Sequence, residues 1–224
     1  MMSTNKPSKG ALVFKYEIFW NAISDRYAAK PIENKAAFNE TVESIRRYLN
    51  TGDCVLDFGC GTGTYSIAIS DKVSNVHGID ISKKMLKIAQ QRTAGQSIEN
   101  IQYQHTNLYS PKLKPNGYDA ILAFNILHLQ ENPVTALQRI TELLKPDGVF
   151  ISKTFCAGPK PPLLLKVMRG ISKTGWVPYV ACLDISDLEK IIAQNHLHIL
   201  TKTQNPAEPK EYLIVAKKAG PTPR

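Results

Sequence analysis

The sequence holds only four cysteines among its 224 residues, Cys54, Cys60, Cys156 and Cys182, and no two are spaced as C-x-x-C. That spacing excludes a paired-thiol zinc site, offers no disulfide framework, and matches a reducing cytoplasm. Cys54 and Cys60 lie in or beside an apolar strand pattern, where cysteine serves as a small core residue, whereas Cys156 and Cys182 flank a long insertion and read as exposed thiols. No run of about 18 uncharged apolar residues occurs, so no membrane-spanning helix is expected. Residues 1–10 lack the apolar stretch of a secretory signal, and they read, like residues 219–224, as a short polar tail. Internal repeats, low-complexity tracts and a metal-ligand cluster are also missing.

What remains is the composition of one globular domain, with 43% hydrophobic and 21% charged residues. The net charge of +9 is concentrated in the C-terminal third, where Lys153, Lys160, Lys166, Arg169 and Lys173 follow one another with no acid between them. Such a run attracts phosphate or anionic lipid, and a solvated basic face produces the same count.

Short β-branched runs alternate with helical patterns along the chain, which predicts a doubly wound α/β sheet of seven strands, mostly parallel, with helices on both faces. Phe38, Val42, Ile45 and Leu49 fall at helical spacing and predict a helix over 33–49. Strands are expected at 54–58, 75–80, 101–104, 118–124 and 149–154, with helices at 65–72 and 82–92 between them. Asn132 followed by Pro133 opens another helix, and Ser186 with Glu189 forms a capping-box pattern for the last. Residues 198–203 and 211–217, joined by a Pro-containing turn, predict a hairpin with an antiparallel last strand. The domain therefore runs over 33–218. Two segments fall outside the alternation: residues 1–32, a tail and an aromatic cap segment holding Phe14, Tyr16, Phe19, Trp20 and Tyr27, and the insertion 156–183. Insertions of that length in a compact domain are usually lids.

The chemistry concentrates after the first strand, where Asp57-Phe58-Gly59-Cys60-Gly61-Thr62-Gly63 joins strand to helix. Glycines there remove Cβ atoms that would collide with a ligand, and the helix N-terminus adds partial positive charge. Asp80 ends the next strand, about 20 residues on, where a carboxylate accepts hydrogen bonds from both hydroxyls of a ribose. A dinucleotide fingerprint requires Gly-x-Gly-x-x-Gly. Here the third glycine comes one position early, and Asp57 precedes the loop. An acid there repels a pyrophosphate but suits the ammonium of an amino acid, so the two acids fit the two ends of S-adenosylmethionine.

Val55 to Gly63 resembles motif I of the class I, Rossmann-like methyltransferases that use S-adenosylmethionine. Gly78-Ile79-Asp80-Ile81-Ser82 with Met85-Leu86 resembles motif II. Tyr118-Asp119-Ala120-Ile121-Leu122 and Leu144-Lys145-Pro146-Asp147-Gly148-Val149 resemble the segments around strands four and five. The likeness covers roughly residues 35–217 and points to the branch of small methyltransferases with quinone- and natural-product-modifying members. It implies a cofactor site of Asp57, Gly59, Cys60, Gly61, Gly63, Asp80, Ile81, Asn107, Leu108 and Asn125. Trp20 and Tyr27 lie before the matched stretch and are candidates to fold over the cofactor, with Tyr27 reaching a polar partner; a hydrophobic clasp on the core is the alternative. Asn107 stands where the family usually has an acid for the adenine amino group, and its amide oxygen is still an acceptor. Asn125 and Ile126 would line the methyl-transfer site.

The sequence around 124–127 lacks the Asn/Asp-Pro-Pro-aromatic run of amino-methylating enzymes, the Pro-Cys of cytosine C5 enzymes and the paired glutamates of arginine enzymes. A small, partly apolar acceptor methylated at O, N or C is the expectation, with no specific nucleic-acid partner. An RNA-directed enzyme using the basic C-terminal third and a non-catalytic cofactor-binding protein are the alternatives. Methyl transfer needs a base only where the acceptor atom is still protonated, and His128 is the candidate, although Leu127 and Leu129 beside it suit a packing histidine. His105 is equally two-sided. Leucines, bases and Trp176 in the insertion suggest an apolar lid, and peripheral contact with a membrane surface would use the same residues.

Overall fold

The computed structural model describes residues 9–158, 170–172, 177–181, 183–206 and 208–220. The chain runs α1 (Lys9–Ala29), α2 (Lys35–Arg46), β1 (Cys54–Phe58), α3 (Thr64–Ile69), β2 (Asn75–Asp80), α4 (Lys83–Ala94), β3 (Ile101–His105), β4 (Tyr118–Phe124), α5 (Pro133–Leu143), β5 (Leu144–Phe155), α6 (Ile185–Gln194), β6 (Leu197–Gln204) and β7 (Glu211–Lys218). These strands form one sheet of order β3-β2-β1-β4-β5-β7-β6, parallel throughout except for β7, which runs antiparallel to both neighbours.

Alternation of side chains along β1 divides the core between the two faces of the sheet. Leu56 and Phe58 join Leu137, Ile140, Leu188 and Ile192 from α5 and α6 on one face. Val55 joins Ile45 of α2 and Ile69 of α3 on the other. Strand order reverses between β1 and β4, and the crevice beyond the carboxyl ends of strands at such a switch point is where doubly wound sheets bind ligands.

Caps set most of the helix starts. Asn34 accepts from the Ala37 amide at 2.9 Å, Ser82 from the Met85 amide at 3.2 Å, and Asn132 from the Thr135 amide at 3.2 Å with Pro133 in the first turn. The last helix departs from expectation. Its cap is Asp184, which accepts from the Asp187 amide and the Ser186 hydroxyl, both at 2.8 Å, while Glu189 pairs with Lys202 instead of closing a capping box.

Three other expectations change. The N-terminal aromatic segment is one long helix, and it begins at Lys9, within the stretch read as a tail. Cys156 is buried, not an exposed thiol, at 4% exposure; Cys182 lies outside the described residues. Lys153 belongs to no basic surface: it is 6% exposed and bonds Glu208 at 2.6 Å and Glu211 at 2.9 Å, tying β5 to the closing hairpin. Lys160, Lys166, Arg169, Lys173 and Trp176, with most of the expected lid, lie outside the described residues. Among the described residues no helix is long and apolar enough to cross a membrane.

Candidate active site

The turn after β1 requires left-handed backbone at three alternate positions, with φ of 72° at Gly59, 53° at Gly61 and 76° at Gly63. Residues with a Cβ disfavour that region, which accounts for the glycine spacing. The three glycines also serve different contacts. A Cβ on Gly59 would stand 2.8 Å from Ile126, and one on Gly63 would strike the Tyr103 hydroxyl. A Cβ on Gly61 would meet no atom of the described residues within 4 Å. Those residues give no packing reason for the missing side chain at Gly61, which faces the space a ligand would fill.

Asp80 closes the other side of this turn. One of its carboxylate oxygens accepts from the Gly61 amide at 3.0 Å and the other from the Ser82 amide at 2.8 Å. Burial pushes its carboxyl up, and the amides of Ser82, Gly61 and Ile81 oppose that rise. A lone-pair position remains for a ligand's hydroxyl.

Gly59, Gly61, Asp80 and Ile81 open onto a cavity of about 820 Å³, within the usual range for small-molecule sites. Phe58, Phe124 and Ile126 line it from the strand ends, and Asn107, Leu108 and Asn125 from the loops that follow. Asn125 has φ of 53° without being glycine, held by its amide, which donates to the Lys153 carbonyl at 2.8 Å. Asparagine tolerates this region better than most residues, and such backbone is concentrated at functional sites. The Asn107 amide oxygen accepts from the Tyr109 amide at 2.9 Å and keeps one lone pair for a donor from the cavity.

Helix α1 supplies the remaining wall through Tyr16, Trp20 and Tyr27. It is fixed by Glu17 against His105 at 3.2 Å, by Arg92, which donates to the Ala28 carbonyl at 2.8 Å, and by Asn21 at the start of α4. Burial and the Asp80 carboxylate both push the Tyr27 phenol up, so it faces the cavity protonated.

Eight of the expected site residues therefore share one cavity: Tyr27, Gly59, Gly61, Asp80, Ile81, Asn107, Leu108 and Asn125. Four do not line it. The pleat of β1 turns Asp57 toward α3, where it is 3% exposed and accepts from the Ser66 hydroxyl at 2.5 Å. Cys60 is buried with its sulfur against Gly78, and Gly63 packs on Tyr103. His128 packs edge-on against Phe155, its Nδ1 has no hydrogen-bond partner among the described residues, and burial depresses its pKa to about 4. A histidine so placed does not face the cavity as a base. His105 likewise lies outside the lining, with Nε2 at 2.9 Å from the Ile81 carbonyl. Sequence reasoning missed Glu131, Gln130, Thr135 and Tyr109 in the lining. Glu131 precedes the Asn132-Pro133 helix start, which explained that stretch without it.

Residues 49–205 match the family model described as a methyltransferase domain. With that match, the chain belongs to the class I, S-adenosylmethionine-dependent methyltransferase family. It is 33% identical over 102 residues to an uncharacterized methyltransferase of Mycobacterium tuberculosis, covering 46% of this chain and 50% of that protein. It is 28% identical over 154 residues to a ubiquinone biosynthesis O-methyltransferase of Paracidovorax citrulli, covering 66% and 65%. The chain thus spans about half to two thirds of the length of these curated relatives. Among solved structures, the YcgJ protein from Bacillus subtilis superposes with a TM-score of 0.65 at 18% identity, over 82% of this chain and all of that one. A geranyl diphosphate C-methyltransferase from Streptomyces coelicolor A3(2), in complex with S-adenosyl-L-homocysteine, gives 0.72 at 13% identity, over 95% of this chain and 100% of that one. At those identities the likeness is one of fold.

Proposed function

We propose that this chain transfers the methyl group of S-adenosylmethionine to a small, partly apolar acceptor at an oxygen, nitrogen or carbon atom. The observation that carries the reading is the juxtaposition of Gly61, open to the cavity, with Asp80, whose carboxylate is aimed by the Gly61 and Ser82 amides. Asp80 would hold the ribose, Asn107 the adenine edge, and the glycine loop the methionine end. When bound, the donor supplies an electrophilic methyl on a positively charged sulfur. What the chain contributes is alignment and exclusion of water, which carry most of the rate in a direct displacement. Phe58, Phe124, Ile126, Leu129 and Trp20 give the cavity the apolar walls such an acceptor needs.

The relatives named for ubiquinone, demethylmenaquinone and geranyl diphosphate methylation support a small acceptor over a macromolecule. The internal pairing of Lys153 removes one base from the array that an RNA-directed reading relied on. A cytoplasmic setting fits the free thiols of Cys54, Cys60 and Cys156.

Calorimetry with S-adenosylhomocysteine tests the donor half. One molecule should bind per chain, and Asp80→Ala should weaken binding by about 1–3 kcal/mol through lost charge-assisted hydrogen bonds. Transfer of labelled methyl to members of a panel of phenols, amines and hydroquinones tests the acceptor half. Failure of the wild-type chain to bind the homocysteine would overturn the proposal.

A further inference from the structure

The cavity wall carries a second carboxylate besides Asp80. Glu131 stands just before the cap of α5 and lines the cavity with Tyr16, Trp20 and Tyr109. The Tyr16 hydroxyl donates to Glu131 Oε1 at 2.9 Å. Burial and the neighbouring carboxylate both push the Tyr16 phenol up, so it remains a donor. Glu131 makes no ion pair among the described residues. Nor does any lysine, arginine or histidine occur among the described residues lining the cavity.

Tyr16 and Trp20 are one turn apart on α1 and present their rings on the same side of the helix. A solvent-exposed carboxylate with no basic partner among the described residues, oriented by a phenol and set among aromatic rings, attracts a cation through its charge and through the negative faces of the rings. The same wall repels an anion, for which the described lining residues offer no counter-charge.

Resting on the reading that the cavity takes a methyl donor and its acceptor, we propose that the acceptor carries an ammonium group that docks on Glu131 beside the rings of Tyr16 and Trp20, while a different atom of it, one with a free electron pair, takes the methyl. The carboxylate selects the acceptor by charge, and the aromatic wall takes its apolar part.

Three probes of matched shape and different charge test this by equilibrium dialysis: phenethylamine, 2-phenylethanol and phenylacetate, each against the full chain saturated with S-adenosylhomocysteine. The amine should bind about tenfold more tightly than the alcohol, and the anion more weakly still. Glu131→Gln should bring amine and alcohol to within about twofold of each other, and Glu131→Lys should reverse the order in favour of phenylacetate. Equal binding of all three, no binding of any, or a preference that survives both substitutions would overturn the proposal. So would Glu131→Gln weakening S-adenosylmethionine but not S-adenosylhomocysteine, because the carboxylate would then serve the donor's sulfonium. Failure of the homocysteine to bind at all counts against the underlying function and is seen separately, before any probe is added.

Discussion

The side-chain oxygen of Asn21, on α1, accepts hydrogen bonds from the Ser82 hydroxyl at 2.8 Å and from the Lys84 amide at 3.1 Å. Ser82 is itself the cap of α4, accepting from the Met85 amide, and its own amide donates to Asp80. Two open donors of one helix start are thus satisfied by two residues 61 positions apart in sequence. The wall formed by α1 and the carboxylate at the end of β2 are joined through this single cap.

That connection gives a first expectation. Asn21→Ala should cost about 1 kcal/mol of stability, the usual value of a lost cap, in urea unfolding. It should also weaken S-adenosylhomocysteine binding severalfold, although Asn21 does not line the cavity. If both unfolding midpoint and affinity match the wild type, α1 is not coupled to Asp80 in this way.

The glycine loop allows a comparison within three residues. Gly61→Ala meets open space and should cost only the roughly 1–2 kcal/mol of a left-handed alanine, while reducing cofactor affinity by more than about tenfold. Gly59→Ala adds a collision with Ile126 to the same backbone strain and should lose more stability. Thermal unfolding and calorimetry on both variants separate the effects. Equal affinity of Gly61→Ala and wild type would mean that the ligand does not approach this backbone.

Much of this arrangement was legible in the sequence because local rules fix it. Strand and helix periods, the caps at Asn132 and Ser82, and the left-handed glycines all depend on neighbours within a few residues. What was not legible depended on partners far along the chain. Asn21 finds Ser82, Tyr16 finds Glu131, and Lys153 finds Glu208 only once the sheet has assembled. The same holds for Asp57, whose place near the end of an apolar strand pattern marks the motif but does not show which way the pleat turns it. Ser186 and Glu189 have the spacing of a capping box, yet Asp184 one turn-entry earlier is the stronger acceptor and takes the cap.

His128 supplies a pH test. Its pKa is depressed from 6.5 to about 4 by burial, so between those values the unfolded chain takes up a proton that the folded one refuses. Stability from this group is therefore complete above about pH 6.5 and is lost as pH falls toward 4. His128→Leu should remove that part of the acid sensitivity and unfold at higher urea than the wild type at pH 5. Methyl transfer should keep its rate near pH 7.5 within a few-fold. A loss of about a hundredfold or more would restore the general-base role.

Asp57 should behave in the opposite sense. Burial is the main cause that raises its carboxyl to about 6; the Ser66 hydroxyl opposes the rise and the Asp80 charge adds to it. Below about pH 4 the group is protonated in both folded and unfolded chains, and its contribution to stability is fully present. As pH rises through 6 the unfolded chain ionises first, and that stability is lost. Above pH 6 the fold holds a buried charge at a cost of about 3 kcal/mol. Asp57→Asn keeps an acceptor for Ser66 without the charge, so it should be more stable than the wild type at pH 8 and equal to it near pH 4. Asp57 does not line the cavity, but its charge acts on Asp80, which does, and so adds to the attraction of that site for a cationic donor. The same variant should therefore bind S-adenosylmethionine more weakly at pH 8 while being the more stable protein. Urea titrations at the two pH values, with calorimetry at the higher one, give both quantities. Stability curves that coincide across this range would show that the charge is already compensated within the fold.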